Sequence, residues 1–238
     1  MKCLILAGGF ATRLYPLTVN RAKALLEFKG RPVIGHIMDR VPLPIEVMVT
    51  TSKRFEADFL EWQKTVDRPV RILVEDAATD AQKMGAVSAV DYWIRTLGIS
   101  EDILIIAGDN YFEVELSDML AGFDSRRALI AVHDVGDKDK ACEIGRACQV
   151  GLVVLEGDRV VRLDEKPEVA TSSVIATGVY VLPARTFALL SEYCRGGRRD
   201  NLGAFISFLL EKEDVHAYAF TETWLDIGDQ ISKGNLLV

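Results

Sequence analysis

The sequence predicts an α/β protein with three layers, α/β/α, in which helices cover both faces of a mixed, mostly parallel β-sheet. Short apolar runs alternate with longer amphipathic stretches, an order typical of βαβ units. Several of these runs are apolar at every position, as expected of strands covered on both faces. Two β-rich runs joined by a turn in the second half predict a small antiparallel β excursion.

The first half of the chain predicts a doubly wound sheet. Its strands are predicted at residues 3–7, 46–51, 70–74, 103–107 and 128–133. Its helices are predicted at residues 32–40, 55–64, 85–97 and 116–123. Strands and helices alternate along this half, so we expect parallel pairing between its strands.

The second half predicts a hairpin followed by further strands and helices. Glu156-Gly157-Asp158 is a good turn signal between its first two strands. The predicted strands are 149–155, 159–164, 174–182 and 215–220, the predicted helices are 184–193 and 202–212, and a short helix follows Asp229. Because no repeat, linker or low-complexity tract interrupts the sequence, we expect one domain over residues 1–238.

Composition excludes several classes of protein. The 238 residues carry a net charge of −7 and are 49% apolar, the balance of a soluble globular chain, and this acidity argues against a nucleic-acid partner. No apolar run approaches the ~20 residues that span a membrane, and the N-terminus is unlike a signal peptide. The four cysteines form no CxxC pair and the three histidines are scattered, so we expect reduced thiols, no zinc site and a cytoplasmic protein.

A basic segment opens this acidic chain. Residues 1–31 sum to a charge of +5, and the remaining residues therefore sum to −12. Such an asymmetry indicates either a local anion site or a solvated basic face.

The first predicted strand runs directly into a glycine pair, in Leu6-Ala7-Gly8-Gly9-Phe10-Ala11-Thr12-Arg13. Glycines at a strand end allow backbone N–H groups to approach an anion closely. The segment fits neither the GxGxxG fingerprint nor the GxxxxGK[ST] loop, so neither of those phosphate-binding motifs is predicted.

The run from Leu6 to Pro32 resembles the sugar-1-phosphate nucleotidylyltransferase family, in which GGxxxRL-x-P-L-T precedes Pro-Lys-x-Leu. Further motifs resemble those of the family, in the same order: Ala107-Gly108-Asp109-Asn110, Asp164-Glu165-Lys166-Pro167, Thr177-Gly178-Val179-Tyr180 and Trp224-Leu225-Asp226-Ile227-Gly228. The resemblance implies a Rossmann-like fold, with the antiparallel excursion forming a sugar pocket.

The reaction that the resemblance implies joins two anions. A sugar-1-phosphate oxygen attacks the α-phosphorus of a nucleoside triphosphate and pyrophosphate leaves, so the protein must position and neutralise charge. The resemblance assigns Arg13 to the triphosphate and Lys23 to the α-phosphate and sugar phosphate, both as catalytic residues. It assigns Asp109 and Asp226 to a Mg²⁺ ion.

Other residues are assigned to the two substrates by the same resemblance. The nucleotide-binding set is Leu6, Ala7, Gly8, Gly9, Gln82 and Gly85. The set for the sugar phosphate is Asn110, Gly151, Glu165, Lys166, Thr177 and Gly178. Which of Glu75, Asp80 and Gln82 reads the base is left open.

The sequence departs from the family pattern in three places. Phe10 replaces a small loop residue, and we expect it either to narrow the nucleotide entrance or to point to solvent. Ala22 replaces a proline before Lys23, and Asp229-Gln230 follows Gly228 in place of Thr-Pro. The chain extends about ten residues past the last motif, so we expect a catalytic core without the acyltransferase that longer relatives append.

Several substrates remain open at this point. Asp109-Asn110 favours dTTP or UTP with glucose 1-phosphate. The alternatives are mannose 1-phosphate with GTP, a phosphorylated alcohol with CTP, or a regulatory subunit that binds a sugar nucleotide without turnover. A homo-oligomer is also left open.

Overall fold

The computed structural model describes residues 1–142, 150–197 and 200–234. The strands there, numbered in chain order β1 to β13, are Lys2–Leu6, Glu27–Phe28, Arg31–Pro32, Glu46–Ser52, Val70–Glu75, Ile103–Ala107, Asn110–Phe112, Ala128–Asp134, Gly151–Glu156, Arg159–Glu165, Val174–Leu182, Val215–Phe220 and Trp224–Asp226. The α-helices there, α1 to α8, are Val33–Arg40, Glu56–Gln63, Ala86–Leu97, Leu116–Ala121, Lys138–Ala141, Phe187–Arg195, Leu202–Leu210 and Ile227–Ser232.

The main sheet has nine strands among these residues, in the order β5-β4-β1-β6-β11-β8-β12-β10-β9. The four strands β5, β4, β1 and β6 pair in parallel. β11 then runs antiparallel to both β6 and β8, and β10 runs antiparallel to β12 and β9. The expectation of a mixed sheet is confirmed. Beyond β6, β8 and β12 pair in parallel, but the other described pairings are antiparallel, so "mostly parallel" is wrong for that part of the sheet.

Alternate residues of β1 pack on opposite faces of the sheet. Ile5 lies in an apolar cluster with Ile34 of α1 and Phe59 of α2. Leu4 lies in a second cluster with Val90 of α3 and Phe205 of α7. Helices therefore cover both faces, and this is why β1 is apolar from Cys3 to Leu6.

The antiparallel excursion is the β9–β10 hairpin. Its turn contains Gly157 in the left-handed conformation, φ +65°, as the turn signal predicted. The hairpin joins the sheet through both β12 and β11. The other predicted strands and helices are also present, with ends that differ by a few residues, except that position 149 lies outside the described residues.

A separate two-stranded sheet, β7 with β13, was not predicted from the sequence. It is antiparallel and pairs Asn110 with Asp226. Ile227 extends the pairing, since its N–H donates to the carbonyl of Asp109 over 3.1 Å. Two motifs that are far apart in the chain are therefore neighbours in the fold.

The cysteines correct one expectation. Cys3 and Cys194 are free thiols. Cys142 is disulfide-bonded, so the expectation of reduced thiols throughout is wrong for this residue. Cys148 lies outside the described residues. Across the described part of the chain, no helix is both long and apolar enough to cross a membrane.

Candidate active site

Lys23 lies between the two aspartates that the motifs assign to a metal. Its Nζ donates to Oδ2 of Asp109 over 2.8 Å and to Oδ1 of Asp226 over 3.1 Å. A single ammonium therefore bonds to two carboxylates, and the three groups come from distant parts of the sequence.

The backbone explains why the two aspartates converge. Asp109 follows β6 after Gly108, whose N–H donates to the carbonyl of Leu6 over 2.9 Å. A Cβ at Gly108 would lie only 2.8 Å from that same oxygen, so glycine is needed for this close approach. Asp226 ends β13 and caps α8, with Oδ1 accepting a hydrogen bond from the N–H of Asp229 over 3.0 Å.

The three charged groups shift one another's pKa values in different directions. Burial opposes the charge on Lys23, but the carboxylates of Asp109 and Asp226 outweigh it and raise the pKa of the ammonium. Burial also opposes ionisation of Asp109, but Lys23 outweighs it and holds the pKa of Asp109 below its ordinary value. For Asp226, burial and the neighbouring Asp109 carboxylate prevail and raise the pKa.

The donor set fits Mg²⁺. Carboxylate oxygens are the hard ligands that this ion prefers, and the side chains of Asp109 and Asp226 remain 37% and 28% exposed. Within the described residues, no group of three or more His, Cys, Asp or Glu side chains could hold a metal ion. The remaining ligands would therefore be water and substrate phosphate, as is usual for Mg²⁺ in nucleotide enzymes.

The glycine loop follows β1 and packs on Glu75. Ala7 donates its N–H to the carbonyl of Thr50 over 3.1 Å, which fixes the start of the loop. A Cβ at Gly8 would lie 2.8 Å from Oε1 of Glu75, whereas a Cβ at Gly9 would meet nothing. The loop backbone therefore packs against the buried Glu75 carboxylate at Gly8, and it has free space beside it at Gly9.

Arg13 belongs to a short 3-10 turn, Thr12–Leu14, that ends the loop. The turn is entered through Ala11 in the left-handed conformation, φ 47°. Arg13 is exposed, and α8 packs against the turn that carries it. The Arg13 turn is therefore linked through α8 to Asp226, but its predicted contact with the triphosphate stays a prediction.

The three candidates for reading the base differ in placement. Gln82 accepts the N–H groups of Ala78 and Thr79 over 3.0 and 3.1 Å, so its amide oxygen closes a local turn. Asp80 pairs with Lys83 at the surface, over 3.1 Å.

Glu75 is the candidate that lies against the glycine loop. Burial raises its pKa, and a hydrogen bond from the Met84 backbone opposes that shift. Gly85, next in the chain, begins α3 with φ +85°, a conformation that favours glycine. Placement therefore favours Glu75 over Gln82, and the contact with a base stays a prediction.

Two departures from the family pattern are explained by the structure. Phe10 is buried in the core, with its ring 5.8 Å from that of Phe55. It neither narrows an entrance nor points to solvent, so both expectations were wrong. Ala22 has φ −63°, close to the value that a proline ring imposes, and it leads into the turn that carries Lys23.

The predicted sugar side centres on Glu165 at the end of β10. Gly151 is its partner across the hairpin, and a Cβ there would lie 3.1 Å from Oε2 of Glu165. The next residue, Lys166, is exposed and has φ 48°, which is strained for a residue other than glycine. Its charge is one of the causes that hold the pKa of Asp109 below the ordinary value, after the larger effect of Lys23.

Asn110, Thr177 and Gly178 hold one another in place. Nδ2 of Asn110 donates to the carbonyl of Thr177 over 2.6 Å, and Oγ1 of Thr177 donates to the carbonyl of Ala131 over 2.9 Å. Gly178 has φ +79°, and a Cβ there would lie 2.5 Å from Nδ2 of Asn110. These contacts hold β7 against β11. The predicted contacts of the three residues with substrate stay predictions.

Two glycines contribute to the site in ways that the motifs alone do not show. Gly228 is part of the last motif, and a Cβ there would overlap Nζ of Lys23. Gly203 belongs to no motif, and a Cβ there would overlap Oε2 of Glu165. The motif marks Gly228 in the sequence, whereas the only signal at Gly203 is a glycine inside a predicted helix, which is a weak one.

A groove of about 630 Å³ lies between α3 and α6. Its lining residues are Met84, Ser88, Asp91, Tyr92, Arg95, Ala188, Ser191, Cys194 and Arg195. None of them belongs to the predicted site.

Solved structures share this fold. The "Putative Glucose-1-Phosphate Thymidylyltransferase" from Bacillus anthracis, in complex with sucrose, is 23% identical, with a TM-score of 0.82 over 99% of this chain and 93% of that one. The inositol-1-phosphate CTP transferase from T. maritima is 16% identical, with a TM-score of 0.77 over 97% of this chain and 90% of that one. These likenesses confirm a mixed α/β fold with a large mixed sheet.

Sequence comparison identifies the family. The Bifunctional protein GlmU of Methanocaldococcus jannaschii is 26% identical over 231 residues, which are 96% of this chain and 51% of that protein. The chain spans about half the length of the curated relatives it matches. The family profile described as Nucleotidyl transferase matches residues 2–232, which include the lysine, both aspartates and the glycine loop. The resemblance seen in the motifs is therefore confirmed, and the chain belongs to the nucleotidyl transferase family.

Proposed function

We propose that this chain transfers a nucleoside monophosphate from a nucleoside triphosphate to a sugar 1-phosphate, with Mg²⁺, giving a nucleoside diphosphate sugar and pyrophosphate. The observation that carries the proposal is the placement of the Lys23 ammonium within 3.1 Å of both Asp109 and Asp226. A cation beside two metal-binding carboxylates is suited to a reaction in which two anions meet.

Each charged residue has a distinct task in this reaction. A phosphate oxygen of the sugar 1-phosphate forms a bond to the α-phosphorus, and the bond from that phosphorus to the oxygen bridging to the β-phosphate breaks. Lys23 neutralises charge on the attacking and α-phosphates, and Arg13 binds the β- and γ-phosphates that leave together as pyrophosphate. Asp109 and Asp226 would hold Mg²⁺, which supplies Lewis-acid stabilisation of the phosphate oxygens when bound.

The sugar side is assigned to residues around the β9–β10 hairpin. Glu165 would accept hydrogen bonds from sugar hydroxyl groups, since its carboxylate is held at the end of β10 beside Gly151. Lys166 would contact the sugar phosphate, an assignment supported by the contribution of its charge to the lowered pKa of Asp109. The nucleotide would lie over the glycine loop, with its base towards Glu75 and Gly85.

Among substrates, we favour dTTP or UTP with glucose 1-phosphate, on the resemblance of Asp109-Asn110. GTP with mannose 1-phosphate is an alternative within the same reaction. CTP with a phosphorylated alcohol is a second candidate, favoured by the likeness to the T. maritima transferase. A regulatory subunit without turnover is disfavoured, because Arg13, Lys23 and both aspartates are present.

The test is a pyrophosphate-release assay that combines dTTP, UTP, GTP, CTP and ATP with glucose 1-phosphate, mannose 1-phosphate, N-acetylglucosamine 1-phosphate and inositol 1-phosphate. We expect Mg²⁺-dependent release with at least one sugar 1-phosphate and a loss of at least ~10²-fold in Lys23→Ala. Pyrophosphate release with inositol 1-phosphate and with none of the sugar phosphates would identify the acceptor as a phosphorylated alcohol. No release with any pair, or unchanged turnover in Lys23→Ala, would overturn the proposal.

A further inference from the structure

The carboxylate of Glu165 is enclosed by two glycines from different elements. Gly151 faces it across the β9–β10 hairpin. Gly203 faces it from the first turn of α7, and a Cβ at that position would overlap Oε2 and lie 3.1 Å from Cδ. The side chain of Glu165 therefore occupies space that any other residue at position 203 would fill.

The helix that carries Gly203 is fixed against the strand that carries Glu165. α7 packs along β10, and Ser207 of α7 donates its hydroxyl to the carbonyl of Leu163 over 2.6 Å. A Cβ at Gly203 would also lie 3.1 Å from Cδ2 of Leu163, which is buried in the core. Because helix and strand are held together, the group that would move is the Glu165 carboxylate.

Burial raises the pKa of Glu165 above its ordinary value, and the first turn of α7 lies beside its carboxylate. The first N–H groups of a helix have no acceptor within the helix, and the helix dipole favours an anion there. Asn201, the residue that caps α7, makes no side-chain capping hydrogen bond. The carboxylate of Glu165 thus lies beside the positive end of a nine-residue helix.

We propose that Gly203 is a positioning residue, which directs the Glu165 carboxylate towards the hydroxyl groups of the sugar and so sets the affinity for the sugar phosphate. This inference rests on the proposed function, in which Glu165 contacts the sugar. Gly203 itself does not touch substrate; its missing side chain leaves one place for the carboxylate between β9 and α7.

The test compares Gly203→Ala with a matched control. Gly35→Ala is the control, because Gly35 is also a helical glycine and a Cβ there would meet nothing within 4 Å. In Gly203→Ala we expect the KM for the sugar phosphate to rise at least ~10-fold, the scale of one lost hydrogen bond to a charged group, while the KM for the nucleotide changes less than ~2-fold. Gly35→Ala should leave both KM values unchanged.

A double variant separates positioning from general damage. Glu165→Ala alone should raise the KM for the sugar phosphate, and adding Gly203→Ala to it should have no further effect, because the displaced group is then absent. If Gly203→Ala fails to fold, the Glu165→Ala/Gly203→Ala variant should still fold, since the overlap with the carboxylate is removed and only the 3.1 Å approach to Cδ2 of Leu163 remains. Failure of both to fold would overturn the inference.

The remaining outcomes distinguish this inference from the proposed function. An unchanged sugar-phosphate KM in Gly203→Ala, or effects that multiply in the double variant, would overturn the positioning role while turnover by the wild-type protein stands. An unchanged KM for the sugar phosphate in Glu165→Ala would instead show that Glu165 does not contact the sugar. That result would remove the Glu165 contact from the proposed function, and the inference about Gly203 with it.

Discussion

Gly228 leaves the space that the Lys23 side chain occupies. A Cβ at Gly228 would overlap Nζ of Lys23 and lie 2.5 Å from its Cε, and 3.3 Å from Oδ1 of Asp226. Gly228 is in the first turn of α8, directly after the strand that ends in Asp226. The last motif of the chain therefore supplies both a carboxylate and the room for the ammonium that contacts it.

Gly228→Ala should inactivate the protein without unfolding it. The added methyl group displaces the Lys23 ammonium from between the two aspartates, so we expect turnover to fall by about 10²-fold, as for the loss of a charge-stabilising donor. The measurement is pyrophosphate release with the best substrate pair, together with a thermal unfolding curve. Gly35→Ala is the control, and wild-type turnover in Gly228→Ala would contradict the packing argument.

Asp109→Ala and Asp226→Ala should each abolish Mg²⁺-dependent turnover. Each removes one of the two carboxylates that lie within 3.1 Å of Lys23, and one carboxylate binds Mg²⁺ more weakly than two. Titration calorimetry with MgCl₂ should show weaker binding in both variants. Asp229→Asn is a suitable control, because the Asp229 carboxylate pairs with Lys233 over 2.7 Å and not with Lys23. Unchanged Mg²⁺ affinity in both alanine variants would exclude the metal assignment.

Glu75→Gln should change the pH dependence of stability. Burial raises the pKa of Glu75 in the folded protein above the ordinary value of 4.5, so the folded protein binds this proton more tightly than the unfolded chain does. Its contribution to stability is present below pH 4.5 and is lost as pH rises through the raised pKa. Because glutamine does not ionise, the variant should gain stability relative to wild type between pH 4 and pH 8. Urea unfolding at several pH values measures this difference, and a constant difference would contradict a buried, strained carboxylate.

Phe10→Ala should destabilise the fold and leave the choice of base unchanged. The Phe10 ring is buried against Phe55, and the loss of such a side chain typically costs about 3–5 kcal/mol of unfolding free energy. Denaturant unfolding measures the cost, and the relative kcat/KM for dTTP, UTP, GTP and CTP measures selectivity. A variant that is as stable as wild type and has an altered base preference would contradict the core role of Phe10 and support a place at the nucleotide entrance.

The sequence was sufficient to predict the larger elements, because their apolar periodicity reflects burial on the sheet. β1, β4 and β6 are buried at nearly every position, and their prediction, together with that of β5, is confirmed. The sheet β7–β13 was missed because its strands have three residues each, too few for periodicity. The direction of β11 was missed because apolar content does not distinguish parallel from antiparallel pairing.

The site could be predicted where its residues belong to motifs, and not where it depends on packing. Lys23, Asp109 and Asp226 are brought together as the motifs predicted. Phe10 was misplaced, because a loop position gives no periodicity from which burial could be inferred. The space left by Gly203 depends on the distance between a helix and a strand, which sequence spacing does not determine.

The pairing of β11 with β6 on one side, and with β8 and β9 on the other, connects β6, which Asp109 follows, to the hairpin that carries Glu165. Among the described residues, the proposed nucleotide side and the proposed sugar side therefore share one hydrogen-bonded sheet. Their relative orientation is consequently fixed when that sheet forms.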